Sequence, residues 1–192
     1  QLFQNDLPKQ SLKSFKGDIT IDTETLGLNI KRDRLCLIQL RNESNKKVYL
    51  IKFDKDISPA NSKNIKSLLE DKSLTKVFHY ARFDMAVLKE NLNINVRNVF
   101  CTKIASKLTR TYSSKHGLKD LVKEILNIEL DKTEQTSDWS QKKLTKQQIQ
   151  YAMNDVIYLS DLKKNLELKL QEVKRIKTFK SIVNFLDARV EL

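Results

Sequence analysis

The chain is poor in residues that staple or punctuate a fold: its 192 residues include two cysteines, three glycines and two prolines. Two cysteines make neither a disulfide framework nor a thiolate metal cluster. Cys36 lies in an apolar, strand-like run and Cys101 at the start of an expected helix, and both read as reduced thiols. So little glycine and proline excludes collagen-like and low-complexity classes. No apolar run approaches the ~18 residues of a membrane span, and no charged-apolar-small signal pattern opens the chain. On those absences a cytoplasmic location is expected. With 40% apolar residues, one folded domain over residues 1–192 is the natural reading.

Positive charge is abundant: 36 Lys and Arg against 24 Asp and Glu give a formal net charge of +12. That excess suits a protein that meets polyanions, although a solvated, Lys-rich surface accounts for it equally well. Between residues 141 and 180, ten Lys or Arg stand against four Asp or Glu, enough to steer a phosphate backbone toward that region without sequence preference.

Short β-rich runs at residues 18–23, 35–40, 48–51 and 76–80 predict strands of a central sheet. Helices are expected at residues 61–69, 83–92, 102–108 and 118–126, then from 146 through 154 to about 170, and at 179–190. Residues 127–143 are polar and aperiodic, a long loop of the kind that often carries function. The fold class is α/β, with a mixed sheet laid down first and helices covering it.

Three short motifs carry the chemistry. In Asp-Ile-Thr-Ile-Asp-Thr-Glu-Thr-Leu-Gly-Leu (residues 18–28), Asp22 and Glu24 are two apart on a strand and project to one face, while Ile19 and Ile21 point to the other. Two convergent carboxylates repel unless a cation neutralises them. Alone, the pair is weak evidence, because an exposed strand end with two acids is the commoner explanation. The second motif, His-Tyr-Ala-Arg-Phe-Asp (residues 79–84), carries a strand into a helix and sets Asp84 near the helix start. Such junctions lie at the carboxyl edge of a sheet, where α/β folds place ligands; taken by itself, though, Asp84 is better explained by service to the helix dipole. In the third, Ile149, Ala152, Val156 and Leu159 form a helical stripe, and Tyr151 and Asp155, four apart, share the adjacent face; alone, they read as a common surface Tyr and Asp beside the stripe.

Taken together, D-x-E, the strand-to-helix Asp and Y-x-x-x-D resemble the three motifs of the DEDDy group of 3′–5′ exonucleases. Arg-Leu-Cys-Leu-Ile-Gln-Leu (34–40), Gly-Leu-Lys-Asp-Leu-Val (117–122) and Leu-Asp-Lys-Thr-Glu-Gln-Thr-Ser-Asp-Trp (130–139) resemble further signatures of the ribonuclease D family. The resemblance covers residues 18–162 and implies an RNase H-like fold in a small form without the family's helical HRDC domains.

The resemblance implies that Asp22, Glu24 and Asp155 hold a divalent cation, with Asp22 shared with a second that Asp84 serves. All-oxygen ligation favours Mg²⁺ or Mn²⁺. Tyr151, with an ordinary pKa near 10, is a poor base at neutral pH and is assigned to orienting the attacking water. Gln150 stands where a DEDDh enzyme has its histidine, and His79 and His116 read as structural or phosphate-contacting. The family maps the backbone around Thr25 to the substrate's 3′ end and Leu28 to a wedge against the terminal base; packing explains Leu28 equally well. His79, Arg82, Lys119 and Lys132 are candidate substrate contacts. Trp139 either stacks on a base or anchors the long loop. The expected activity is a two-metal 3′–5′ exoribonuclease acting on RNA ends, releasing nucleoside 5′-monophosphates. The alternatives are a DNA exonuclease of the same group and a catalytically silent nucleic-acid-binding module.

Overall fold

The computed structural model of the chain describes residues 1–56, 58–131 and 133–191. The strands are β1 (Leu2–Gln4), β2 (Asp18–Thr25), β3 (Leu35–Asn42), β4 (Val48–Lys52), β5 (Thr75–Phe78) and β6 (Val99–Cys101). The helices are α1 (Lys9–Leu12), α2 (Lys63–Glu70), α3 (Ala81–Leu92), α4 (Thr102–Thr109), α5 (Leu118–Leu126), α6 (Lys146–Ile157), α7 (Leu159–Glu172) and α8 (Ile176–Arg189). The strands form one six-stranded sheet in the order β1-β4-β3-β2-β5-β6. β3 runs antiparallel to both β2 and β4, whereas the β1–β4, β2–β5 and β5–β6 pairs are parallel, so the sheet is mixed.

β2 is dense in β-branched Ile and Thr, which suit a pleated strand. β3 is buried along residues 35–40, as a central strand covered on both faces must be. On α5, Leu118, Leu121 and Val122 face the core, and Asn127 closes the helix in the left-handed region at φ 56. α6 opens with a reciprocal cap: Thr145 accepts from the Gln148 amide while the Gln148 side chain accepts from the Thr145 amide.

Helices cover both faces. Ile19 and Ile21 of β2 are buried in the main core, on the face that α3 covers. On the opposite face Thr20 donates from Oγ1 to the Val156 carbonyl of α6 at 2.7 Å, and Lys163 of α7 pairs with Asp18 at 3.1 Å.

The differences from the sequence expectations are local. β5 ends at Phe78, two residues early, because Tyr80 takes the left-handed conformation (φ 69, ψ 44) and turns the chain into α3. The long helix expected from residue 146 divides at Tyr158 into α6 and α7. The three-residue strands β1 and β6 were not predicted. The 127–143 segment contains a 3₁₀ turn at Thr133–Thr136 and buries Trp139. Among the described residues, no helix is long and apolar enough to cross a membrane.

Candidate active site

β2 has one antiparallel neighbour, β3, and one parallel neighbour, β5. Its β5 ladder stops at Thr20, whereas its β3 ladder continues through Glu24 and shifts register at Thr25. The carboxyl half of β2 therefore extends past β5, and that half carries Asp22 and Glu24. Strand alternation places both acids on the face beneath α6. There Asp155 joins them: one carboxylate oxygen from each of Asp22, Glu24 and Asp155 lies within 4.8 Å of the others. Asp22 and Glu24 are half-buried and Asp155 is buried.

Tyr151, one helical turn before Asp155, is also buried, and its phenol is hydrogen-bonded to the Asp155 carboxylate. Burial drives the phenol's pKa well above its ordinary value, and the charges of Asp155, Glu24 and Asp22 add to the rise. The hydroxyl therefore stays protonated and donates to the Asp155 carboxylate.

Asp84 approaches from the other side. Alternation turns Thr23 away from Asp22 and Glu24, toward the face that α3 covers. The Thr23 hydroxyl donates to Asp84 Oδ1 at 2.7 Å. Burial pushes the Asp84 carboxyl up to about 7; hydrogen bonds from Thr23 and backbone amides oppose that rise, and the charge of Asp155 adds to it. Three acids thus gather on one face, and a fourth reaches the strand end from the opposite face, near enough for its charge to couple to Asp155.

Three like charges gathered at a partly buried site are unfavourable unless a cation neutralises them, and the donor set is all carboxylate oxygen. Hard, oxygen-preferring Mg²⁺ or Mn²⁺ fits such ligands. A cavity of about 690 Å³ lies elsewhere, between β6, α7 and α8, and none of these acids lines it. Because its charged lining includes residues already paired, such as Arg97 with Asp187, the acid cluster is the better candidate for chemistry.

The expected substrate contacts are more dispersed. Thr25 ends β2 and donates to the Gly27 carbonyl, while Leu28 is 85% exposed in the loop that follows. Thr102 donates to the Phe78 carbonyl at 3.1 Å, so His79 Nδ1 donates to Thr102 Oγ1 at 2.9 Å, a bond that braces the junction ahead of α3. Arg82 is half-buried on α3 and Lys119 is exposed on α5. Lys132 lies outside the described residues. Trp139 is 2% exposed, with its ring 5.9 Å from that of Tyr151, centroid to centroid. It offers no face to a base and anchors the loop beneath α6, which corrects its place among the substrate contacts.

Two residues that touch the acids escaped the sequence reading. Thr23, read only as the spacer of D-x-E, holds Asp84. Gln39 Nε2 donates to Glu24 Oε1 at 3.3 Å. Its signal was a lone amide inside the apolar run Leu-Cys-Leu-Ile-Gln-Leu.

A family profile described as a 3′–5′ exonuclease matches residues 4–171. The chain belongs to this family. A ribonuclease D from Desulfotalea psychrophila is 33% identical over 157 residues, covering 80% of this chain and 40% of its relative. The DNA polymerase I of Aquifex aeolicus is 32% identical over 167 residues, covering 86% of this chain and 26% of the polymerase. The chain thus spans well under half the length of these two relatives. Brucella melitensis NrnC superposes on all of it and on 91% of its own chain, with 41% identity and a TM-score of 0.93. NrnC structures with pGG (42% identity, TM-score 0.92) and with Mg²⁺ (40%, 0.89) match over the same shares. The resemblance to ribonuclease D and the RNase H-like fold read from the motifs are both borne out in this exonuclease family.

Proposed function

We propose that the chain is a divalent-cation-dependent 3′–5′ exoribonuclease that releases nucleoside 5′-monophosphates from RNA 3′ ends, with residues 1–192 acting as one catalytic domain. The observation that carries this reading is the convergence of Asp22, Glu24 and Asp155 at the protruding end of β2. Mg²⁺ in NrnC supports the cation, and pGG in NrnC supports a short nucleotide end as the ligand. Asp22, Glu24 and Asp155 would hold one cation, and Asp22 with Asp84 a second. When bound, such ions neutralise the scissile phosphate and lower the pKa of water.

The chain's own residues supply position. Tyr151 stays protonated, donates its single O–H to Asp155 and orients the attacking water by accepting from it at the phenol oxygen. Asp155 accepts from that phenol and fixes its rotamer. Thr23 holds Asp84 toward the leaving-group side. Leu28, exposed in the loop that follows β2, serves as the wedge against the terminal base, with the backbone near Thr25 meeting the 3′ end. Arg82, Lys119 and Lys132 are the proposed phosphate contacts, and the excess positive charge gathers the polyanion.

Matched 5′-labelled RNA and DNA oligonucleotides, incubated with Mg²⁺ or Mn²⁺, test the reading. RNA is expected to shorten stepwise from its 3′ end, and faster than DNA. Equal or preferred digestion of DNA transfers the assignment to the deoxyribonuclease alternative; binding without cleavage of either leaves only a nucleic-acid-binding module.

A further inference from the structure

We infer that Gln39 is a positioning residue that sets the rotamer of Glu24 for cation binding, an inference that rests on the proposed cation-dependent activity. The register of β2 against β3 places Gln39 directly opposite Asp22 and Leu37 opposite Glu24, so all four side chains share the face beneath α6. Across β3, Gln39 is in turn opposite Leu50 of β4. Leu37 and Leu50 belong to an apolar cluster with Trp139, Tyr151 and Ala152. Gln39 thus stands where this face changes from apolar to acidic.

Gln39 is 0% exposed, and its amide Nε2 donates to Glu24 Oε1 at 3.3 Å. Its own Oε1 is buried and has no hydrogen-bond partner among the described residues. The opposite amide orientation would set that carbonyl against the Glu24 carboxylate and strand the NH₂ group instead, so the contact with Glu24 decides the orientation. A buried, unpartnered carbonyl is unfavourable, and a leucine or methionine would fill the buried run 35–40, otherwise Leu, Cys and Ile, without that penalty. The amide contributes one thing that an apolar side chain cannot: a fixed donor to a carboxylate of the cluster. Such a donor restrains the Glu24 carboxylate where it meets Asp22 and Asp155.

Gln39→Met, which keeps length and volume but removes the donor, is the test, with Gln39→Leu as a second apolar variant. Outer-sphere partners of this kind typically influence metal affinity or activity by about 10–100-fold. Mn²⁺ binding, followed by electron paramagnetic resonance of the free ion, should weaken by about that factor in both variants. The kcat on RNA should fall at subsaturating Mn²⁺ and recover in part at high Mn²⁺, with KM for RNA little changed. Metal-free melting temperature should be unchanged or higher, because the stranded carbonyl is gone. Wild-type Mn²⁺ affinity in both variants, or a loss of metal-free stability with unaltered metal dependence, overturns the inference and leaves the proposed function standing. If the wild-type chain itself binds no Mn²⁺ and degrades no RNA, the proposed function fails, and this inference with it.

Discussion

Asp84→Asn should make the metal-free protein more stable at neutral pH. The wild-type carboxyl is 3% exposed and its pKa is pushed up to about 7, from an ordinary value of 3.8. An acid with a raised folded-state pKa binds more protons folded than unfolded across that interval. Stability therefore falls as pH rises from about 4 to about 7, with the full penalty present above that window. At about 1.4 kcal/mol per pKa unit the ceiling is on the order of 4 kcal/mol, and relaxation around the buried carboxyl reduces this to roughly 2 kcal/mol. The introduced asparagine would carry no charge, and its carbonyl would still accept from the Thr23 hydroxyl. For a chain of this size, about 2–4 °C per kcal/mol turns the relief into a Tm increase of roughly 4–8 °C. Differential scanning fluorimetry in EDTA across that pH range measures it as the difference between variant and wild type. Mg²⁺ or Mn²⁺ should reverse the ranking by stabilising wild type more than the variant. An Asp84→Asn protein no more stable than wild type at neutral pH without metal would refute this account of how Asp84 is held.

Two further predictions separate chemistry from architecture. Tyr151→Phe should lower kcat by about 10–100-fold while leaving metal affinity near wild type, and the wild-type pH–rate profile should show no limb from phenol ionisation, since burial raises that pKa beyond reach; an unchanged kcat removes the water-orienting role. Arg110 is buried and donates from Nε to Glu124 at 2.9 Å, which holds the Glu124 pKa at about 2. With a depressed folded-state pKa, its stabilisation is present above about pH 4.5 and is lost as pH falls toward about 2. Because the Glu124 side chain is 41% exposed, Glu124→Gln should cost only about 1–2 kcal/mol at neutral pH, read as a lower Tm with nuclease activity retained.

The elements legible in the sequence were those whose side-chain pattern is self-sufficient. The Ile/Thr alternation of β2 and the Leu118, Leu121, Val122 spacing of α5 define their structures locally, and the four acids and Tyr151 lie on such elements. β1 and β6, three residues each, carry too little pattern, and their strand geometry comes from pairing with β4 and β5. The α6–α7 break at Tyr158 is marked by neither glycine nor proline, so apolar periodicity runs through it. Thr23 and Gln39 were hidden for another reason. The partner of each acid depends on strand register and on which helix covers which face, and both are tertiary facts. Trp139 shows the reverse case, an aromatic in a polar loop whose burial only the packing against Tyr151 reveals.

The most direct test of the central claim is the digestion of 5′-labelled single-stranded RNA by wild type and Asp22→Asn, across a Mg²⁺ or Mn²⁺ titration. Asp22 is one of the three acids that meet at the end of β2. The account predicts a metal-dependent ladder shortening from the 3′ end and release of nucleoside 5′-monophosphates by wild type. It predicts none by an Asp22→Asn protein that melts as a folded chain. Full activity in Asp22→Asn, or metal-independent cleavage at internal positions, would contradict it.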